Sequence, residues 1–117
     1  MDLEQICPDK VVDAKTAVSK ITNGSRIFIG TGCGEPQHLI RTMVADLSIQ
    51  DVMLYQMLSS TLADYVNDDQ FQKRFQVKLF FISSTMRQAA FEGKIDYIPT
   101  YLSQIPTLFK NGRIGLD

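Results

Sequence analysis

Three glycines at alternate positions, Gly30, Gly32 and Gly34, separate the β-branched and aromatic run Arg26-Ile-Phe-Ile29 from the start of a helical stripe. Cys33, Glu35, Pro36 and Gln37 lie among and just after them. Glycine lacks a Cβ, so such a loop takes strained conformations and lets backbone come close to a bound group. The N–H groups of the helix that follows are then free to face an anion or a polarised carbonyl. The chemistry open to the segment is binding and orienting a substrate; its bland alternative is a turn that only joins strand to helix. The spacing G-x-G-x-G-E-P is neither the dinucleotide fingerprint G-x-G-x-x-G nor a phosphate loop ending in Gly-Lys-Ser/Thr, which removes the main support for nucleotide chemistry.

Each reactive side chain here has more than one reading. Glu35, the carboxylate of the loop, suits a nucleophile, a substrate-orienting acceptor, or a negative charge that favours the dipole of the next helix. Cys33 is a thiol flanked by glycines, and His38 is the single imidazole that could serve it as base; nothing else in the sequence supports thiol catalysis. Gln37 and His38 read as first-turn helix residues facing the ligand. Arg87, just beyond a strand, suits either a carboxylate or phosphate partner or an exposed helix face. Asp96 and Tyr97 fall in a short strand, where one lines a crevice and the other packs. Met53, Met57, Phe80 and Phe81 read as core and not as a cofactor box.

The elements that must position these residues follow from periodicity. Asp13 caps a helix whose Ala14, Ala17, Val18 and Ile21 share a face, ended by Asn23-Gly24. A strand over 26–29 enters the glycine loop, and Leu39, Ile40, Met43, Val44 and Leu47 form the stripe of the next helix. Strands are predicted over 52–58 and 77–82, with a polar, poorly periodic stretch and room for a short helix between them. Ser84 caps a helix carrying Met86, Ala89 and Ala90 and ended by Gly93; a fourth strand over 95–98 stops at Pro99. A last helix spans Leu102–Phe109 with Pro106 near its first turn, and Asn111-Gly112 leads into 113–117, where another strand begins. Strands alternating with helices predict an α/β fold, a mostly parallel sheet with helices on both faces.

Composition bounds the class. With 12 basic and 13 acidic residues among 117 the net charge is −1, leaving no basic stripe for nucleic acid, and no long apolar run suggests a signal or a membrane segment. Cys7 and Cys33 are too far apart for a Cys-x-x-Cys redox or zinc site, so two free thiols in a reducing, cytoplasmic compartment and no metal are expected. No repeat, low-complexity tract or linker divides residues 1–117.

Two ordered blocks carry a family resemblance. Ile27-Phe-Ile-Gly-Thr-Gly-Cys-Gly-Glu-Pro-Gln-His-Leu39 resembles the first glycine loop of the acetyl-CoA hydrolase/transferase family, which includes the 4-hydroxybutyrate CoA-transferases. The run from Phe80 to Phe109, with its Glu92-Gly93, Asp96-Tyr-Ile-Pro99 and Leu102-Ser-Gln-Ile-Pro106, resembles the family's next strand, helix, strand and helix. The likeness runs from the Asp13 helix to Asp117 and is weakest between Ser59 and Gln76. It implies a CoA-transferase-like three-layer sandwich and an N-terminal part cut short of a second, related domain. It also implies acyl-CoA and a carboxylate as small-molecule partners, with coenzyme A arriving as substrate, and a homo-oligomer remains open. The resemblance places the nucleophilic glutamate in that second domain, so no catalytic residue is expected within 1–117. Gly30, Gly32, Cys33, Gly34, Glu35, Pro36 and Gln37 are then the substrate-binding candidates and Arg87 the coenzyme A contact. Hydrolase and transferase differ only in whether water or a carboxylate accepts the acyl group. A non-catalytic binding or regulatory module on the same fold is the competing expectation.

Overall fold

A computed structural model describes residues 2–117. A short helix α1 (Leu3–Ile6) precedes α2 (Ala14–Val18), whose N-terminus is capped as expected: Asp13 Oδ1 accepts the Thr16 N–H at 2.7 Å. The helix is shorter than its apolar spacing predicts. Lys20 and Ile21 donate to carbonyls only three residues back, and Ser25 Oγ accepts the Thr22 N–H, so local bonds unwind the end before Ile21. Gly24, at φ +84°, therefore turns the chain into β1 (Arg26–Ile29) instead of stopping a helix.

After the glycine loop, α3 (Gln37–Ala45) buries Ile40 and Met43. Leu47 does not join this stripe; it is 71% exposed. The carboxylate of Asp46 takes both the N–H and the hydroxyl of Ser48, a local turn that ends the helix and throws Leu47 outward. Strand β2 (Val52–Gln56) stops short of Leu58, whose N–H goes to Thr31 Oγ1 instead. The polar stretch does hold a helix, α4 (Asp69–Arg74), and β3 (Phe75–Leu79) starts directly after it, two residues before the predicted strand and three short of its end.

Ser84 does not cap. It opens a 3-10 turn (Ser84–Met86) leading into α5 (Arg87–Phe91), and neither has a side-chain cap; Ser83 Oγ and Thr85 Oγ1 bond each other at 2.9 Å. Gly93 follows at φ +72°. Strand β4 is reduced to Asp96–Tyr97, and the predicted last helix divides into a 3-10 turn (Leu102–Gln104) and α6 (Ile105–Lys110), with Pro106 in the first turn. No strand is formed over 113–117, but Asp117 and Arg26 exchange two bonds at the edge of β1: Asp117 N–H to the Arg26 carbonyl at 3.0 Å, and Arg26 N–H to Asp117 Oδ2 at 2.8 Å.

The four strands form one parallel sheet in the order β1-β2-β3-β4. Crossovers of constant hand that always step the same way leave their helices on one face. Ile40 and Met43 of α3, Phe71 of α4 and Ala89 of α5 accordingly share a core with Val52, Leu54, Val77 and Leu79. The opposite face carries α6, where Ile105, Leu108 and Phe109 pack with Tyr55 and Phe80 and with the predicted core residues Met53, Met57 and Phe81. Helices thus cover both faces of a parallel sheet, an α/β sandwich of three layers. Each fully buried apolar side chain, such as Leu54 or Phe80, contributes about 1.5–3 kcal/mol. No helix among the described residues is long and apolar enough to cross a membrane.

Candidate functional site

The glycine loop leaves the carboxyl end of β1, the edge strand of the sheet. From β1, helices α3 to α5 carry the chain across the sheet on one face, and α6 brings it back over the other face to set Asp117 beside Arg26. Open α/β sheets hold ligands outside the carboxyl ends of their strands. Gly30 to Pro36 lie at that end of β1.

Within the loop, Thr31 leads into a 3-10 turn (Gly32–Gly34) closed by Gly34 N–H to the Thr31 carbonyl and Glu35 N–H to the Gly32 carbonyl. Two glycines are needed for different reasons. A Cβ on Gly30 would stand 2.5 Å from the Gly34 carbonyl oxygen, and Gly32 adopts φ +59°. Gly34 has neither constraint: φ is not positive, and a Cβ there would meet nothing within 4 Å. Gly32, Cys33 and Gly34 are exposed, so the turn presents backbone to the surroundings. Pro36 precedes α3 and supplies no side-chain cap, which leaves the first-turn N–H groups without a side-chain acceptor.

Behind the exposed turn is a polar anchor that periodicity did not reveal. Glu35 Oε1 accepts from Gln56 Nε2 at 3.0 Å and from the Thr61 N–H at 3.2 Å, with longer approaches at 3.4 Å from Ser59 Oγ and the Ser60 N–H. Ser59 Oγ in turn accepts the Leu62 N–H. The Thr31 hydroxyl donates to the Leu58 carbonyl and accepts the Leu58 N–H. Glu35 therefore turns inward and satisfies the start of the 3-10 turn Thr61–Asp64, an anchoring role outside the three readings open from sequence; it does not sit at the N-terminus of α3 as a bare charge. The segment 57–61, which runs into the region from Ser59 where the family likeness is weakest, is the second wall of the loop. Its one sequence signal was Gln56, a polar residue on the buried face of an otherwise apolar strand.

The other candidates are dispersed. Cys33 is exposed and Cys7 partly buried, and both are free thiols. His38 lines a hollow between α2 and α3 with Lys15, Arg41 and Thr42, and no hydrogen bond joins it to Cys33 among the described residues. Gln37 accepts a long bond from Arg41. Arg87 opens α5 beyond the end of β3, so β2 stands between it and the loop. It lines a hollow of about 640 Å³ with Phe81, Ile82, Ala90, Phe91 and Tyr97. Asp96 is paired with Lys78 at 2.7 Å across the two strands, while Tyr97 faces the Arg87 hollow. Among the described residues no cluster of three His, Cys, Asp or Glu side chains is placed to hold a metal ion.

The family described as acetyl-CoA hydrolase/transferase N-terminal domain matches residues 1–117. The chain is 30% identical over 118 residues to a 4-hydroxybutyrate coenzyme A transferase of Clostridium kluyveri, covering all of this chain and 27% of that protein. It is 30% identical over 100 residues to a succinyl-CoA:acetate/propanoyl-CoA:succinate CoA transferase of Fasciola hepatica, covering 83% of this chain and 20% of that protein. It spans about a quarter of the length of these relatives. RipA from Yersinia pestis has the same fold over the whole chain, with a TM-score of 0.79, 23% identity and 30% of that structure covered. A mutant of RipA superposes with a TM-score of 0.83.

Proposed function

The chain belongs to the acetyl-CoA hydrolase/transferase family, and from that premise we propose that it supplies the glycine-loop wall of an acyl-transfer site acting on an acyl-CoA and a carboxylate. The observation that carries the reading is the anchored loop: Glu35 and Thr31 tie it to residues 56–61, while Gly32, Cys33 and Gly34 stay exposed at the carboxyl end of β1. A turn that only joined strand to helix would need glycine at Gly30 and Gly32. It would not need glycine at Gly34, where the space beyond Cα is open.

In the proposed reaction a glutamate carboxylate from outside residues 1–117 attacks the thioester carbonyl. The oxyanion so formed collapses with loss of CoA thiolate to an acyl-glutamyl anhydride. The thiolate then attacks the glutamyl carbonyl, releasing the first carboxylate and leaving a glutamyl-CoA thioester, and an acceptor carboxylate reverses the sequence to form the new acyl-CoA. Each intermediate divides one difficult transfer into easier steps. The role of this chain is to hold backbone dipoles and Gln37 against the reacting acyl group, with Pro36 setting the entry to α3; fixed dipoles cost no reorganisation when charge develops. Arg87, an exposed residue lining an aromatic-walled hollow, is assigned to an anionic part of coenzyme A. Both named relatives are transferases, which favours a carboxylate over water as acceptor. The free thiols Cys7 and Cys33 suit a reducing, cytoplasmic setting.

The test is borohydride trapping in the protein that carries this chain. With acetyl-CoA present, reduction should inactivate the enzyme and convert one glutamate outside residues 1–117 to its alcohol. Reduction at Glu35, or inactivation that does not depend on acetyl-CoA, would overturn the assignment.

A further inference from the structure

We propose that Gln56 is a positioning residue of this site: its buried amide clasps the two ends of the glycine loop and sets the orientation of the exposed Gly32–Gly34 turn. The proposal rests on reading the loop as an acyl-transfer wall. Gln56 ends β2 on the face that buries Val52 and Leu54, and its side chain is fully buried between its cross-strand neighbours Ile29 and Leu79. An amide in that position is costly unless it is hydrogen-bonded. Both hydrogens of Nε2 are used, one on the Gly30 carbonyl at 2.9 Å and the other on Glu35 Oε1 at 3.0 Å, while the buried Oε1 of Gln56 has no partner among the described residues.

Those two acceptors are the first and last residues of the loop proper. The hydrogen bonds inside the loop, Gly34 to Thr31 and Glu35 to Gly32, do not join its ends. Among the described residues Gln56 is the one side chain hydrogen-bonded to both. Its orientation is dictated by its surroundings, because a flipped amide would set Oε1 against a carbonyl and a carboxylate, both acceptors. Few replacements could do the same. Leucine has the size but no donor, asparagine is one methylene shorter, and glutamate would put a second carboxylate about 3 Å from Glu35, where the two charges repel and even the protonated form has one hydrogen for two acceptors. A glutamine in an apolar run, Val52-Met-Leu-Tyr-Gln56, is thus tied to the loop geometry and not to the packing of the sheet.

The experiment compares wild type, Gln56→Leu and Gln56→Glu in the whole protein, with acetyl-CoA and isotope-labelled acetate as probes and backbone hydrogen exchange as the structural readout. For Gln56→Leu we expect kcat to fall roughly a hundredfold, as displacements near 1 Å in oriented chemistry do. KM for acetyl-CoA should stay within a few-fold, and protection should be lost in residues 30–36 while β2 and β3 keep theirs. For Gln56→Glu, loop protection and kcat should recover in part as pH falls, since the protonated carboxyl donates its one hydrogen to Glu35 and leaves the Gly30 carbonyl unpaired; the cross-strand neighbours Ile29 and Leu79 carry no charge. Wild-type kcat and loop protection in Gln56→Leu, or pH-independent loop protection in Gln56→Glu, would overturn the proposal. If the wild-type protein exchanges no acetate, the acyl-transfer reading fails, and the loop-protection comparison still decides the role of Gln56.

Discussion

The carbonyl oxygen of Gly34 lies 2.5 Å from the place a Cβ on Gly30 would occupy, so the loop closes on itself only because Gly30 has no side chain. The same carbonyl-bearing residue has open space above its own Cα, so two glycines four residues apart serve different ends. Gly30→Ala should force the loop open and cost about 1–3 kcal/mol of stability, as overpacking does. Gly34→Ala should leave stability within about 0.5 kcal/mol of wild type and lower turnover of acetyl-CoA in the whole protein at least ~10-fold. Chemical denaturation and kinetics on both variants check the contrast; equal stability losses would remove the ligand argument for Gly34.

Glu35 separates anchoring from chemistry. Replacing it with Gln keeps its length and one acceptor oxygen and removes the charge that strengthens the bonds from Gln56 and Thr61, for an expected loss of about 1 kcal/mol. Glu35→Ala leaves those donors without their partner and should cost about 2–3 kcal/mol. Borohydride trapping of a glutamate elsewhere should persist in Glu35→Gln. A fall of roughly four orders of magnitude in kcat for Glu35→Gln, with the fold intact, would make Glu35 the reacting carboxylate.

Arg74 is a structural counterpart at the far end of α3. Its buried guanidinium donates to the carbonyls of Val44 at 2.7 Å, Asp46 at 3.1 Å and Ile49 at 3.3 Å, and it stacks 4.8 Å from the centre of the Phe75 ring. It thereby satisfies the Val44 carbonyl that the helix end leaves free and braces the turn from Asp46 to Ile49 that follows. Arg74→Met should cost about 3 kcal/mol or more in a denaturant titration. Arg74→Lys should recover only part of that, because an ammonium group lacks the planar fork. Full recovery with Lys would show that charge alone matters.

The Asp13 cap makes a pH prediction. The backbone N–H of Thr16, followed by its hydroxyl, holds the Asp13 carboxyl below its ordinary value of 3.8 in the folded state. The unfolded chain then binds more protons than the folded one across that interval. The resulting stability is complete above the ordinary carboxylate value and is lost as pH falls through the lower, folded one. Asp13→Asn retains a good cap and should remove this part of the acid dependence with little change at pH 7; Asp13→Ala should lower the melting temperature at pH 7 as well. An unchanged acid limb in Asp13→Asn would refute the assignment.

The alternation of strands and helices, the parallel sheet and the glycine loop at the end of β1 were legible in the sequence because each rests on local chemistry. Side-chain period, glycines at turns and the Asp13 cap act within a few residues. The boundaries were less legible wherever a side chain competed for the backbone: Asp46 with Ser48 displaced Leu47, and Ser25 with Thr22 shortened α2. What only the tertiary structure decided is the setting of Glu35. Its partners Gln56, Ser59, Ser60 and Thr61 lie 21 to 26 residues away, brought beside it by the pairing of β1 with β2. A carboxylate next to a helix start looks the same in sequence whether it faces solvent, substrate or a neighbouring loop. The choice is made by which unsatisfied N–H groups the folded sheet places within 3 Å or so of its oxygen, and no periodicity encodes that distance.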